Sequence, residues 1–360
     1  MKNILRIGSA FIGVIVGAGF ASGQEVLQYF TSFGLMGILG AFISTALFAY
    51  VGMVLVWLGS REQTNSHKEV IYQASGNRFI GRIIDYIIIF TLFGVGVVMV
   101  AGAGSNLHQQ FGVPHVVGTA IMTLFIIFIG MLNVDRVVSV IGGITPFLIL
   151  FVIIISIFSF LTVDSSFALL DEVAKETPTT LPNWFISGIN YVSFNTALGA
   201  SMAIVMGGTE KNRKNAALGG LVGGLGLGVL ILLSHLAIFA KIEEVGAMEM
   251  PMLGIVNEMS PVLGVLMSIV LFAMIFNTGI SMFYAFAARF ADIGTKKFKN
   301  FFLIAVITGF AASFVGFTDL VAYFYPLIGY LGLVLIAVLI IAPFRTRNRD
   351  NGQLEKRKSA

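Results

Sequence analysis

The sequence predicts an all-α integral membrane protein of ten transmembrane helices, built as two five-helix halves of opposite orientation. Three observations predict it: an apolar composition outside the soluble range, ten apolar segments, and basic residues gathered on one side of them. Hydrophobic residues make up 57% of the 360-residue chain and charged residues 11%, against about 25% charged in soluble domains. Cysteine is absent, which excludes a disulfide framework and thiolate metal sites. The net charge of +4 would hint weakly at nucleic acid in a soluble chain. Here its placement carries the information, and the expected partners are the bilayer and a small solute, not nucleic acid.

The apolar segments run over 5–33, 35–59, 83–105, 115–133, 137–161, 184–208, 216–240, 261–290, 301–317 and 319–343. Most exceed the roughly 20 residues that cross a hydrocarbon core. The first is too long, and too interrupted by glycine and a carboxylate, for a signal peptide. With the N-terminus inside, every Lys and Arg except Lys175 and Lys241 falls on the cytoplasmic side, a nearly complete positive-inside bias. The opposite side is acidic, with Asp164, Asp171, Glu172, Glu176, Glu243, Glu244 and Glu249. The expected location is therefore the cell membrane, multi-pass, with both termini cytoplasmic.

The connections repeat although the residues do not. Each half shows a short, a long, a medium and a short connection in turn: near 34, 60–82, 106–114 and 134–136, then 209–215, 241–260, 291–300 and near 318. Five helices is an odd number, so the second half enters from the opposite side, as in the inverted repeats of many secondary transporters. The expected units are 1–161, a linker over 162–183, an inverted unit over 184–343, and a basic tail over 344–360.

The first segment holds Gly17-Ala18-Gly19-Phe20-Ala21-Ser22-Gly23-Gln24-Glu25 near mid-membrane. Irregular backbone at that depth is tolerated only where protein or a water-filled cavity satisfies it, so this segment is expected to be discontinuous and to form half of a solute site. Ser22 to Glu25 matches a capping box that would restart the helix. A charged carboxyl at the bilayer centre costs roughly 3 kcal/mol or more, and a helix N-terminus returns at most about 2 kcal/mol. Capping alone falls short, so Glu25 needs a proton, a cation or cavity water, and it is the candidate proton-coupling residue.

In the long loop, Ser66 to Gly76 reads as a short surface helix capped by Ser66. On the third segment, Asp85 is expected to pair with Arg82 or face water, and Gly94 and Gly96 to admit a close approach by substrate or the first helix. The sixth segment corresponds to the first in the repeat. Its centre carries Ser193, Asn195, Thr196, Gly199 and Ser201; the alternatives are a second broken helix and ordinary interhelical packing, and the repeat favours the break. Two broken helices would offer free amides and carbonyls to a zwitterion, each end meeting its complementary pole.

On the seventh segment, the glycines of 219–228 superficially suggest a nucleotide loop. No strand precedes them, and they are expected to be a packing surface; His235 is expected near the outer end. Pro251 to Ser260 reads as an outer helix, either a lid or a plain interfacial helix. On the eighth segment, Asn277, Thr278 and Ser281 offer oxygens that suit Na+ or, alternatively, hydrogen bonds between helices. Tyr323, Tyr325 and Tyr330 on the tenth are expected at a vestibule or the interface. No paired carboxylates, metal cluster or nucleophile–histidine–acid set stands out, so no enzyme and no organic cofactor are expected.

The run from Gly13 through Gly17, Gly19 and Gly23 to Glu25 resembles the first helix of the YkvI-type amino-acid permeases, and more distantly that of the amino acid–polyamine–organocation superfamily. The resemblance implies the LeuT-type fold, with helices one and six discontinuous and solute bound between them. It also implies a candidate Na+ site joining the first helix to the eighth, drawn from Gly17, Phe20, Asn277, Thr278 and Ser281. The sequence thus predicts a cation-coupled carrier of a small amino acid or related zwitterion, with Na+ or H+ as coupling ion. A ligand sensor of the same fold and an exporter of another small solute are the competing expectations.

Overall fold

The structure, a computed structural model, describes residues 1–63, 67–131 and 145–358. The loop at 134–136 with Arg136, the start of the fifth apolar segment, and the Ser66 cap lie outside the described residues.

Among the described residues every regular element is helical. The first apolar segment is three pieces: α1 (Lys2–Ile15), α2 (Ala18–Ser22) and α3 (Gln24–Tyr29). There follow α4 (Met36–Glu62), α5 (His67–Ser75), α6 (Arg78–Phe111), α7 (His115–Met131) and α8 (Thr145–Leu161). The linker between halves contains α9 (Phe167–Glu176), started by Ser166, whose hydroxyl accepts from the Leu169 N–H. The second half holds α10 (Trp184–Gly208), α11 (Arg213–Ala240), α12 (Pro251–Met259), α13 (Pro261–Ala287), α14 (Lys296–Ala312) and α15 (Tyr325–Lys358). A π-helical turn, Leu320–Phe324, leads into α15.

Seven stretches are unbroken, long and apolar enough to cross a membrane: α4, α6, α10, α11, α13, Lys296–Val315 and Phe317–Thr346. The broken first segment and the shorter apolar helices His115–Met131 and Ile149–Leu161 stand beside them.

The bundle core is a close sandwich of α1, α4, α10 and α11. The glycines of 219–228 are a packing surface, as expected. A Cβ on Gly220 would strike the Gly52 carbonyl, one on Gly224 the Phe48 carbonyl, and one on Gly223 the Gly8 carbonyl and Phe11. Small residues let helix backbones meet where apolar area alone gives no preference over lipid.

Three expectations fail here for identifiable reasons. Helix α10 is continuous from Trp184 to Gly208, so the sixth segment is not broken. Its polar residues are spent on helix contacts. Thr196 and Asn195 donate to the Val192 and Tyr191 carbonyls of their own helix at 2.6 and 3.0 Å. Ser193 and Asn190 donate to the Gly329 and Pro326 carbonyls of α15 at 2.6 and 3.0 Å. The second departure is α5, which is wedged among α6, α10 and α15 rather than lying on the surface, with Val70, Ile71 and Ala74 buried. The third is at Gly94 and Gly96, which make room for the rings of Phe324 and Phe283, not for substrate or the first helix.

Each end of the bundle is tied by its own polar contacts. At the end carrying the basic loops, buried Glu210 accepts from Asn3 Nδ2 at 2.9 Å and from the Asn212 N–H at 2.9 Å. Arg289 of the turn after α13 pairs with Asp85 at 2.9 Å. At the acidic end, Lys241 pairs with Glu258 at 2.7 Å, and Gln109 holds both the N–H and the carbonyl of Met250.

Candidate functional site

The break in the first segment follows from its glycines. The helical ladder stops at the bond from Val16 N–H to the Ile12 carbonyl and resumes at Ala21 N–H to the Gly17 carbonyl. Val16 and Gly17 between them leave the helical region, at ψ 89° and −173°, the second fully extended. The carbonyls of residues 13–16 therefore lie outside the ladder, the condition under which backbone oxygens become ligands at membrane depth.

A second discontinuity follows at Gly23, which is left-handed at φ 85° and ψ −11°. Only a residue without Cβ takes that conformation at no cost. This turn undoes the expected capping box. Ser22 Oγ donates to the Gly19 carbonyl at 2.7 Å and accepts from the Gln24 N–H at 3.2 Å. Glu25 stands in the first turn of α3, but its carboxyl makes no cap hydrogen bond there.

The Glu25 side chain is 5% exposed. It folds back across α2, where a Cβ on Gly19 would overlap its Oε1, so Gly19 is the clearance for the carboxylate. Its Oε2 accepts from the Tyr191 hydroxyl at 3.2 Å. Among the described residues no cation forms an ion pair with it. Tyr191 sits in an aromatic cluster, with the Tyr29, Phe30 and Phe48 rings at 5.0, 5.1 and 6.0 Å. Tyr29 donates to Asn190 Oδ1 at 3.2 Å, and Tyr325 stacks on Phe194 at 4.1 Å. Tyr29, Tyr191 and Tyr325 all lie within electrostatic range of Glu25.

Two cavities flank this buried group. Toward the basic end, a cavity of about 220 Å³ is lined by Gly13 and Gly17 of the break and by Asn277, Thr278 and Ser281 of α13. Four of the five expected cation ligands thus meet. Asn277 Oδ1 is buried there with no hydrogen-bond partner in the protein. Phe20 does not line this cavity: it is buried, and its carbonyl accepts from the Gly23 N–H at 3.0 Å. Toward the acidic end, a second cavity of about 300 Å³ is lined by Gln24, Leu27 and Gln28 of α3, by the loop around Met248, and by Asp319 and Tyr323. Glu25 lines neither cavity.

The remaining expected residues divide. Ala18, Gly19, Ala21 and Ser22 are buried in the short helix between the cavities. Asn195 and Thr196 are buried on α10 with their donors used within that helix. Gly199 packs against Ile15 and Val14 at the end of α1, so it faces the break without breaking its own helix. His235 stands toward the Ala240 end of α11, as expected, and is fully buried there, its Nδ1 3.1 Å from Thr31 Oγ1. Of the three tyrosines, Tyr323 and Tyr330 are exposed and Tyr325 is buried. The sequence does not mark Tyr191, Tyr29 or Asn190, because a side chain buried on an apolar helix carries no sign of its partner.

No family model matches the chain. Among curated proteins it is 27% identical over 338 residues to the uncharacterized membrane protein YkvI of Bacillus subtilis strain 168, covering 93% of this chain and 94% of that one. It is 24% identical to the uncharacterized protein YyaD of the same organism, over 96% of this chain and 98% of that one. Among solved structures it aligns with MhsT in complex with L-phenylalanine at a TM-score of 0.61 and 16% identity, covering 95% and 96% of the two chains. The inward-facing conformation of Mhp1 aligns at 0.64 and 12%, over 96% and 77%. A Na+-coupled sialic acid symporter in its substrate-bound, outward-open state aligns at 0.55 and 13%, over 95% and 89%. The break at Val16–Gly17 and the helices packed around it thus belong to a chain that is homologous to YkvI and YyaD over nearly its whole length and has the LeuT-type fold.

Proposed function

We propose that this protein is a secondary active transporter that carries a small amino acid or related zwitterionic solute by alternating access, coupled to a cation. The observation that carries the reading is the placement of Glu25: a buried carboxylate on a broken helix, with one cavity toward each end of the bundle and neither reaching it. A carrier exposes a central site to one side at a time, and two separate cavities around one occluded group are the static form of that requirement. The proteins of known structure with this fold support it, since one is described with bound L-phenylalanine and another as a Na+-coupled symporter.

In this reading Gly17, Ala18, Gly19, Phe20, Ala21, Ser22, Gly23, Gln24 and Glu25 contribute the solute site from the first helix, opposed by Asn195, Thr196 and Gly199. Ten spans form two inverted halves, 1–161 and 184–343, with both termini cytoplasmic in the cell membrane, so the cavity at Asn277 opens inward. The carbonyls near Gly17 with Asn277, Thr278 and Ser281 form a Na+ site of hard oxygen donors, while Glu25 is the proton-coupling group if the ion is H+.

Counterflow in proteoliposomes tests the proposal. Vesicles loaded with unlabelled amino acids should accumulate the labelled compound, and Thr278→Ala should weaken any Na+ stimulation of that uptake. Saturable binding with no exchange would instead identify a ligand sensor.

A further inference from the structure

We infer that a third cavity, at the basic end between α4, α5 and α15, binds the phosphodiester of an anionic lipid. Lipid binding there requires neither a transport step nor a solute. The cavity holds about 260 Å³ and is lined by Arg61 and Glu62 of α4, Gln73 and Gly76 at the end of α5, and Arg345 and Thr346 of α15. Among the described residues its charged groups are two cations and one anion, so one positive charge is in excess.

The depth of the cavity follows from the helices that frame it. The spans Met36–Glu62 and Phe317–Thr346 both end here, which puts the two arginines where hydrocarbon gives way to headgroups. Trp57, one turn before Arg61, is half-buried, with the guanidinium 5.7 Å from its ring centroid. Tryptophan is enriched at that boundary. On α15, Ile341 lies one turn before Arg345 on the same face, and it is exposed together with Ile340 and Phe344. A charged cavity thus adjoins an open apolar surface, the pairing that a lipid presents.

Arg345 is anchored from one side only. Its Nη1 donates to the Ala74 carbonyl at 3.3 Å and to that of Ser75, closing the end of α5. Gly76, left-handed at φ 63°, makes room, since a Cβ there would stand 3.0 Å from Nη1. Among the described residues Arg345 makes no other hydrogen bond, which leaves its Nε and Nη2 edge. That edge is the fork that takes two oxygens of one phosphate. Arg61 Nε lies 3.5 Å from Glu62 Oε1, so the single acid is engaged by one arginine and does not offset both. Basic pockets between spans recognise anionic headgroups by this chemistry. A zwitterionic lipid would bring its ammonium to a cavity that is already positive.

The chain has two tryptophans, which serve as reporters: Trp57 beside the site and Trp184 at the far end, where α10 starts. Trp184→Phe protein is reconstituted in phosphatidylcholine vesicles containing acyl-brominated phosphatidylglycerol or, at the same fraction, brominated phosphatidylcholine. The brominated phosphatidylglycerol should quench Trp57 more strongly, with a ratio of quenching constants of about five, as for one basic residue near an anionic surface. Trp184, read in Trp57→Phe protein, should show no such preference. Arg345→Gln should bring the Trp57 ratio down to that of Trp184. Arg82→Gln, which removes an exposed charge at the same end, should leave it. Inorganic phosphate should relieve the quenching no more than chloride at equal ionic strength. A Trp57 ratio no higher than that of Trp184, or one that Arg345→Gln lowers no more than Arg82→Gln does, overturns the inference. Selective relief by inorganic phosphate would make the free anion the ligand and overturn the lipid assignment. Comparing the two tryptophans leaves both arginines in place, so it decides even where Arg345→Gln folds poorly.

Discussion

Burying a carboxyl as the anion, with a single neutral hydroxyl for a partner, would cost several kcal/mol even after relaxation. Glu25 meets that description, with Tyr191 as its one donor and Gly19 cleared to receive it. In the proposed function, coupling gives a use to a carboxyl so placed on the broken helix. Removing the hydroxyl in Tyr191→Phe leaves the carboxylate without a donor. A hydrogen bond to a charged group contributes about 1.5–3 kcal/mol, so exchange should fall about tenfold or more. Glu25→Gln keeps a hydrogen-bonding side chain but removes the titration, and the pH profile of counterflow should flatten. A wild-type profile at full activity in that variant would exclude Glu25 from coupling. Glu25 itself was legible in the sequence because an acidic residue beside three glycines in an apolar run has few structural excuses. Tyr191 was not, because it lies 166 residues away and its contact exists only once α3 and α10 are packed.

At the scale of the helix, two glycines that look alike in sequence do opposite things. Gly23 is left-handed, and a Cβ there would approach Met252 Cγ at 2.7 Å. Gly199 lies in regular helix, and its Cβ would meet the flexible tip of Ile15 at 2.6 Å and Val14 Cγ1 at 3.2 Å. Left-handed geometry costs an ordinary residue about 1–2 kcal/mol, while alanine in a helix interior gains about 0.5–1 kcal/mol over glycine. Gly23→Ala should therefore lower the melting temperature by a few degrees, and Gly199→Ala should leave it unchanged or raise it. A destabilised Gly199→Ala protein would show that Ile15 and Val14 do not give way to the added methyl. The first break was readable because three glycines and a carboxylate coincide within nine residues. The sixth segment misled because hydroxyl and amide residues serve equally to bond neighbouring helices. Only the acceptors at Gly329 and Pro326, far along the chain, decide between the two uses.

Across the whole molecule, the segregation of charge legible in the loops becomes two sets of fastenings. Glu210 ties the start of α1 to the α10–α11 turn at the basic end. At the acidic end, α9 reaches from the linker to the start of α4, a contact that composition could not forecast. There Asp171 Oδ1 accepts from the Leu35 N–H at 2.7 Å and Oδ2 from Lys175 Nζ at 2.5 Å, beside Gly34 in a positive-φ turn. Burial alone would raise the Asp171 carboxyl, but the hydrogen bonds from Lys175 and Leu35 outweigh it and hold it below the usual carboxylate range. A carboxyl depressed in the folded state stabilises that state above its unfolded value of about 3.9, and the contribution is lost as pH falls through the lower, folded value. Partial exposure limits the ion pair to about 1 kcal/mol at most. Asp171→Asn, which can still accept from Leu35, should therefore melt slightly below wild type at neutral pH. Asp171→Ala, which loses the backbone bond as well, should melt lower still. As the pH is taken down through the carboxylate range, the wild-type curve should converge on that of Asp171→Asn while the alanine variant stays below both. A gap between wild type and Asp171→Asn that persists at the acid limit would show that the charge of Asp171 does not fasten α9 to the bundle.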